Sequence, residues 1–190
     1  MAQDLEVLGL LPHEQFFVAD SHTIQEARTQ QAGESIGKAL DNKPSGDWGG
    51  DDTGIQAAQD DHHLQKTLLH QLSVLNGLDT LPYPDPASPH ITYGSLFEIT
   101  YGENDTEQYA LGTRPFIQGM PEIEGIHTTS PESPMGKAVI GKVAGDAVVW
   151  IVANNGLQLS GTITHIDQTA VQEHYEEIIE QILSSQNDKA

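Results

Sequence analysis

The residues best placed to do chemistry lie in one short run, Gly46-Asp47-Trp48-Gly49-Gly50-Asp51-Asp52, where three carboxylates, Asp47, Asp51 and Asp52, share a glycine-rich stretch. Carboxylate oxygens suit hard divalent cations such as Mg²⁺. Asp and Gly are also the default residues of a solvated turn, so composition leaves both readings open. Nine histidines raise a second metal possibility, with His62, His63 and His70 close to Asp60 and Asp61. Their spacing is poor, because helical side chains face one another at three or four residues and His63 to His70 spans two turns. The chain has no cysteine, which excludes disulfides, thiolate metal sites and cysteine nucleophiles. It carries no Ser-His-Asp pattern, phosphate loop or dinucleotide fingerprint.

The elements that must position the aspartates read as helices. Thr23 with Glu26 and Thr53 with Gln56 fit the capping box, predicting helices over 23–42 and 53–77. Ile24, Ala27, Ile36, Ala39 and Leu40 would give the first a thin apolar stripe, weakened by Gly33 and Gly37. Ala58, Leu64, Leu68, Leu69, Leu72 and Leu75 recur at three- and four-residue steps in the second, and Gly77 supplies a stop. Lys43 to Asp52 is too rich in Gly and Pro to be helical. The expectation is an antiparallel two-helix coiled-coil hairpin with an acidic tip, reaching roughly 35 to 40 Å at about 1.5 Å per residue.

Charge narrows the partners. Twenty-eight acidic against 8 basic residues give a net charge of −20 among 190 residues, of which 37% are hydrophobic and 6% aromatic. The basic residues (Arg28, Lys38, Lys43, Lys66, Arg114, Lys137, Lys142, Lys189) are scattered, which excludes a phosphate-binding patch for free nucleic acid. The amino terminus lacks the basic and apolar regions of a secretory signal, and no segment is apolar enough to span a bilayer, so a soluble cytoplasmic protein is expected.

Four prolines between Leu81 and Pro89 (LPYPDPASP) read as an interdomain linker. This divides the chain into a helical hairpin (1–80), a linker (81–89), a β-rich domain (90–167) and a terminal helix (168–190). Strands are expected over 90–101, 107–111, 114–118, 126–129, 147–153 and 159–166, with Asn155-Gly156 as a hairpin turn. Ser133-Pro134 is the cap and first-turn pair of a short helix over 133–140. The predicted architecture is α+β: the hairpin, then a curved antiparallel sheet with one short helix across it. An appended amphipathic helix over 169–184 carries Val171, Tyr175, Ile178, Ile179, Ile182 and Leu183 on one face.

The passage from Ile126 to Val149 resembles the carboxy-terminal domain of the bacterial GreA/GreB transcription elongation factors. Ser133, Pro134, Lys137, Ala138, Gly141, Lys142, Gly145, Asp146 and Val148 occupy that family's positions, with Tyr93-Gly94 and Asn155-Gly156 falling where members have an aromatic-Gly pair and a Gly-bearing turn. The amino-terminal half is similar to the family's coiled coil more loosely: Gly46-Asp47 and Ala57-Ala58-Gln59-Asp60-Asp61 match, with one extra residue in the tip. The resemblance implies an FKBP-like domain that docks at the rim of the RNA polymerase secondary channel. It also implies a tip whose carboxylates help hold a second Mg²⁺ and orient the water that cleaves backtracked RNA; such factors are not enzymes alone and bind no cofactor alone. Asp47 matches the first tip carboxylate. Asp51 or Asp52 would replace a glutamate normally three residues later, where this chain has Gly50, and Asp is one methylene shorter. The family's basic hairpin patch is also largely missing, since residues 1–80 hold four basic residues, Arg28, Lys38, Lys43 and Lys66. The alternatives are an inhibitor using the same channel, a hairpin that only occludes, and an FKBP-like peptidyl-prolyl isomerase, which would need an aromatic-lined pocket from Tyr93, Phe97, Tyr101, Tyr109, Phe116 and Trp150.

Overall fold

The structure, a computed structural model, describes residues 9–41, 53–103, 105–114, 117, 120–152, 154 and 156–187. Its elements are β1 (Gly9–Leu10), α1 (Pro12–Asp41), α2 (Thr53–Asn76), β2 (Asp79–Thr80), β3 (Leu96–Tyr101), β4 (Asp105–Leu111), β5 (Ile126–Thr129), α3 (Pro134–Val139), β6 (Ala147–Ile151), β7 (Gln158–Asp167) and α4 (Ala170–Asn187). They form an α+β chain of two compact units, Phe16–Leu78 and the combined segments Met1–Gln15 and Asp79–Ala190.

α1 begins eleven residues before the Thr23 start expected from the capping box. Pro12, with its fixed φ and missing donor, opens the helix, and Glu14 reaches back so that its Oε2 accepts from Leu11 N–H at 2.8 Å. Thr23 is interior, its Oγ1 donating to Ala19 O at 3.1 Å. α2 keeps the expected start and ends one residue before Gly77.

The two helices run antiparallel: His22 Nε2 lies 2.9 Å from Ser73 Oγ, Gln25 Nε2 donates to Gln65 Oε1 at 2.7 Å, and Gly33 faces His62. On α1 the face that meets is not the apolar stripe read from the sequence: Ile24, Ala27 and Leu40 are exposed, whereas Ser21, Gln25, Thr29 and Ala32 are buried; on α2 the expected Ala58, Leu68, Leu69, Leu72 and Leu75 are sheltered and Leu64 is exposed. On α2, Ile55, Ala58, His62, Gln65, Leu69 and Leu72 are sheltered at alternating three- and four-residue steps, the spacing of a coiled-coil seam. Polar groups occupy much of that seam, and Gln25 buries its amide there by donating to both the side chain and the backbone carbonyl of Gln65.

The other unit holds a five-stranded sheet in the order β5-β4-β3-β7-β6 and a two-stranded pair, β1-β2. The sheet is mixed, not antiparallel: β4 and β5 pair in parallel, Gln108 opposite Ile126. A parallel pair needs a long crossover, and the chain between Leu111 and Ile126 supplies it. Arg114 and Ile117, expected in a strand, are non-strand residues of that crossover. Residues 90–95, read as the start of a strand, precede β3 as turns that reverse at Gly94 (φ 88°). β6 and β7 form the expected hairpin, closed by Gly156 at φ 68°; Asn155 lies outside the described residues. One face of the sheet buries Phe97, Ile99, Leu111, Val148 and Ile163 together with Val139 of α3.

The proline-rich segment 81–89, expected as a linker, falls inside this unit. Leu81 N–H donates to Leu10 O at 2.7 Å, and Gln168 Nε2 donates to Ser88 O at 3.0 Å and His90 O at 2.9 Å. Prolines lack donors but keep acceptors and apolar rings, so a strap is as available to such a segment as a tether. α4, expected as an appendage, belongs to the same unit; Asp167 caps it by accepting from Thr169 N–H (2.8 Å) and Ala170 N–H (3.0 Å), bonds that hold its carboxyl below the usual range.

Two glycine substitutions separate packing from propensity. A Cβ on Gly136 would fall 1.9 Å from Ser130 O, whereas one on Gly37 in α1 would meet nothing within 4 Å. Urea denaturation is expected to show Gly136→Ala destabilised by about 1–3 kcal/mol or more and Gly37→Ala stabilised by about 0.5–1 kcal/mol. Equal effects would contradict this packing.

Candidate functional site

Asp47, Asp51 and Asp52 lie outside the described residues; α1 ends at Asp41 and α2 starts at Thr53 on either side of them. The histidine alternative gains nothing: among the described residues no group of three or more His, Asp or Glu is arranged to hold a metal. His63 and His70 are exposed, and His62 sits over Gly33 with its Nδ1 buried and unpartnered.

The Ser133 to Asp146 motif builds a short helix and its exits. Ser133 N-caps α3, its Oγ accepting from Gly136 N–H at 2.9 Å and donating to Ser130 O at 2.8 Å, with Pro134 at the first helical position. Gly141, at φ 76°, donates its N–H to Ile91 O at 2.8 Å, and Lys142 O accepts from Ile91 N–H at 2.8 Å, so Ile91 clasps the end of the helix. Gly145, at φ 96°, donates to Ile163 O at 2.7 Å, and Asp146 Oδ2 accepts from Val143 N–H at 3.2 Å, leading the chain into β6. Lys137 and Lys142 are exposed. Sequence reasoning passed over Gly136, whose position in the middle of a six-residue helix was the available signal.

Between α3 and the sheet lies an open groove of about 220 Å³, lined by Tyr109, Thr128, Thr129, Ser133, Pro134, Met135, Trp150 and Val152. A hydrogen-bonded chain flanks it. Tyr109 donates its hydroxyl proton to Glu107 through a short contact, and Tyr101 Oη lies 2.8 Å from Tyr109 Oη. Tyr101 also meets the Trp150 ring edge-on at 5.9 Å, and His127 faces Tyr109 at 5.5 Å. Burial, and then the bond to Glu107, push the Tyr109 phenol up; burial does the same to Tyr101. Both remain neutral phenols across the physiological range. The sequence showed these aromatics only as strand residues; Phe116 lies outside the described residues.

A second polar cluster, unforeseen, sits at the start of α1. Glu14 is buried, its Oε1 accepting from Thr113 N–H at 2.8 Å and its Oε2 from Leu11 N–H at 2.8 Å and Thr113 Oγ1 at 2.5 Å. Burial raises its carboxyl, with these bonds and the Arg114 charge pulling the other way. His13, also buried, stacks on Tyr175 at 4.2 Å and on Tyr83 at 5.7 Å, with Nδ1 2.9 Å from Tyr83 Oη. Burial lowers its pKa to about 3 and raises Tyr83 and Tyr175 to about 12. The cluster ties β1, α1, the 81–89 strap and α4 together, and among the described residues the cavity against His13, Glu14 and Tyr175 holds only about 10 Å³.

No protein-family model matches the chain, and no curated protein matches it. Among solved structures it is similar to GreA factor homolog 1 of Thermus thermophilus, at 16% identity over 84% of this chain and 97% of that one, with a TM-score of 0.36. Gfh1 of Thermus aquaticus is similar at 18% identity over 84% and 97% of the two chains, TM-score 0.36. A prokaryotic transcription elongation factor GreA/GreB from Nitrosomonas europaea is similar at 17% identity over 54% and 78%, TM-score 0.34. At such identities and scores a functional reading has to stand on the residues themselves.

The His13 cluster sets a pH dependence. A histidine lowered from 6.5 to about 3 on folding contributes stability that is complete above pH 6.5 and is lost as pH falls toward 3, by at most about 1.4 kcal/mol per pH unit. Glu14 acts in the opposite sense, since a raised carboxyl relieves the fold as it protonates on acidification. Thermal unfolding between pH 7 and pH 4 is expected to show His13→Phe losing less stability than the wild type. A parallel loss in both would contradict the buried neutral imidazole.

Proposed function

We propose that this protein is a transcription regulator that binds RNA polymerase through the face of the sheet unit carrying α3, and that it acts through the acidic tip of its hairpin in the secondary channel. The observation that carries the reading is the Ser133 to Val148 motif: the residues that match the GreA/GreB pattern are the ones that cap α3, reverse the chain at Gly141 and Gly145 and launch β6. The groove beside α3 gives that face an apolar, aromatic surface suited to a protein partner. The helical hairpin supports the second half of the proposal, because α1 ends at Asp41 and α2 starts at Thr53, on either side in the sequence of the stretch that holds Asp47, Asp51 and Asp52.

In this proposal the protein is not an enzyme alone. Asp47 and Asp51 would share a Mg²⁺ ion with the polymerase, where a hard cation takes one or two protein carboxylates besides phosphate and water. Asp52 would stand in reserve for the position that Gly50 leaves empty. With the shorter aspartates and few basic residues along the hairpin, the same arrangement also suits an inhibitor that chelates the ion without orienting water.

The groove gives one observation in favour of a prolyl isomerase, since it has the apolar wall and the two aromatics, Tyr109 and Trp150, that such a site needs. A protease-coupled prolyl isomerisation assay decides it, with no acceleration expected.

Purified bacterial RNA polymerase is expected to be retained by the immobilised protein and lost when Pro134 and Met135 are both replaced by Asp. In stalled, backtracked complexes Asp47→Ala is expected to change RNA release on the order of tenfold or more: downward if the tip assists cleavage, upward if it inhibits. Identical release with and without the substitution would leave the hairpin as an occluding rod, and no retention would remove the polymerase from the reading.

A further inference from the structure

The five-stranded sheet ends on two edges of different character. β5 closes one with four residues, three of them polar (His127, Thr128 and Thr129), and shortness is one device by which natural sheets blunt an edge. β6 closes the other with Ala147-Val148-Val149-Trp150-Ile151, which holds no charge, no proline and no bulge. Ile163 N–H donates to Asp146 O at 3.0 Å and Val152 N–H to Leu157 O at 2.8 Å, at the two ends of the β6–β7 pair. Ladder bonds alternate along an antiparallel pair, so Val148 and Trp150 bond β7 while Ala147, Val149 and Ile151 turn their N–H and C=O groups to the free side. None of those groups has a hydrogen-bond partner among the described residues.

The side chains of the same three residues are bare as well. Val149 is 53% and Ile151 57% exposed, opposite Ser160 and Gln158 of β7, and exposed Ala147 lies opposite Thr162. Apolar surface on this side of the β6–β7 hairpin is therefore confined to the edge strand. Space beyond the strand ends is open, since a Cβ on Gly145 or Gly156 would meet nothing within 4 Å. A row of apolar side chains beside an unpaired backbone is a template for another strand.

β6 has no charge by which to choose a foreign strand. What it has is symmetry. A two-fold axis through Val149 sets that residue against its own counterpart and Ala147 against the counterpart of Ile151. Every outward N–H then faces a C=O, and the apolar side chains meet on one face. No like charges are opposed within the paired strands, although each copy carries −20.

We propose that β6 is a dimerisation edge, at which two copies of this chain join antiparallel about Val149 and the sheet runs on from one into the other. The inference goes beyond the polymerase reading and does not depend on it. A contact of one short strand fits a dissociation constant on the order of micromolar.

Sedimentation of the full chain is expected to pass from monomer to dimer between about 1 μM and about 1 mM. Added salt is expected to shift the transition to lower concentration, because it screens the repulsion between two acidic copies. Val149→Lys and Val149→Glu, each with an unchanged urea midpoint, are expected to weaken the dimer at least about tenfold by opposing like charges across the axis. Mixed in equal amounts, the two variants are expected to pair with each other. Because the chain has no cysteine, Val149→Cys supplies a single thiol. The proposed register sets its two Cα atoms about 5.5 Å apart, within disulfide reach, so mild oxidation is expected to link it at least about tenfold faster than a Val74→Cys control. Val74, on α2, is 56% exposed.

A monomer at every concentration and salt overturns the proposal and leaves the edge to a foreign strand. So does a dimer indifferent to Val149→Lys, or equal linking of the two cysteine variants, either of which moves the contact elsewhere. Assembly past the dimer overturns the closed two-fold arrangement.

Discussion

The position of α3 is the constraint on which the sheet unit's chemistry depends. A helix of six residues cannot sustain itself, because nucleation is unfavourable and few hydrogen bonds follow it. It is held instead at three points: the Ser133 cap, the contact of Gly136 with the Ser130 carbonyl, and the clasp of Ile91 on Gly141 and Lys142. Buried Val139 then seals it against the sheet. Pro134 and Met135 become one wall of the groove only because the backbone is fixed at those points. The motif that resembles an elongation factor is therefore, residue by residue, a set of instructions for placing a wall.

The hairpin is built on a different principle. Its seam keeps the coiled-coil spacing but fills several positions with Ser21, Gln25, Thr29, His62 and Gln65. A buried polar pair contributes about 0.5–1.5 kcal/mol net when its bonds are made, and leaving it unmade is more costly than the bond is favourable. Such a seam fixes register better than it adds stability, because sliding one helix by a turn would strand Gln25 away from Gln65. Register is what a tip needs if its carboxylates are to be presented at a defined place.

How far the sequence could be read follows from the same physics. α2 and α3 were legible because their start signals, Thr53 with Gln56 and Ser133 with Pro134, are local and each precedes a plain helical run. The true start of α1 was equally local, in Pro12 and Glu14, but Thr23 and Glu26 offered a competing box that the helix simply ran through. The polar seam was hidden because hydrophobic periodicity favours Ile24 and Leu64, which face solvent. The parallel β4–β5 pair was hidden because the crossover 112–125 contains apolar residues that mimic a strand. The groove could not be read at all: its walls come from Tyr109 on β4, Thr128 and Thr129 on β5, Pro134 and Met135 on α3 and Trp150 on β6, which only the strand order and the packing of α3 bring together. The His13 and Glu14 cluster joins residues up to 162 positions apart, and nothing local announces it.

Charge and groove then divide the work of recognition between long and short range. A chain of net charge −20 is repelled by exposed nucleic acid and drawn to basic protein surface. That attraction acts over about a Debye length, roughly 8 Å at physiological salt, and so sets the encounter rate more than the lifetime of the complex. Lifetime belongs to contacts made after water is expelled, and in the groove those are the rings of Tyr109 and Trp150 beside Pro134 and Met135. An acidic exterior that disfavours nucleic acid is therefore compatible with a role in transcription, provided the contact is made with protein and the nucleic acid is reached only through it.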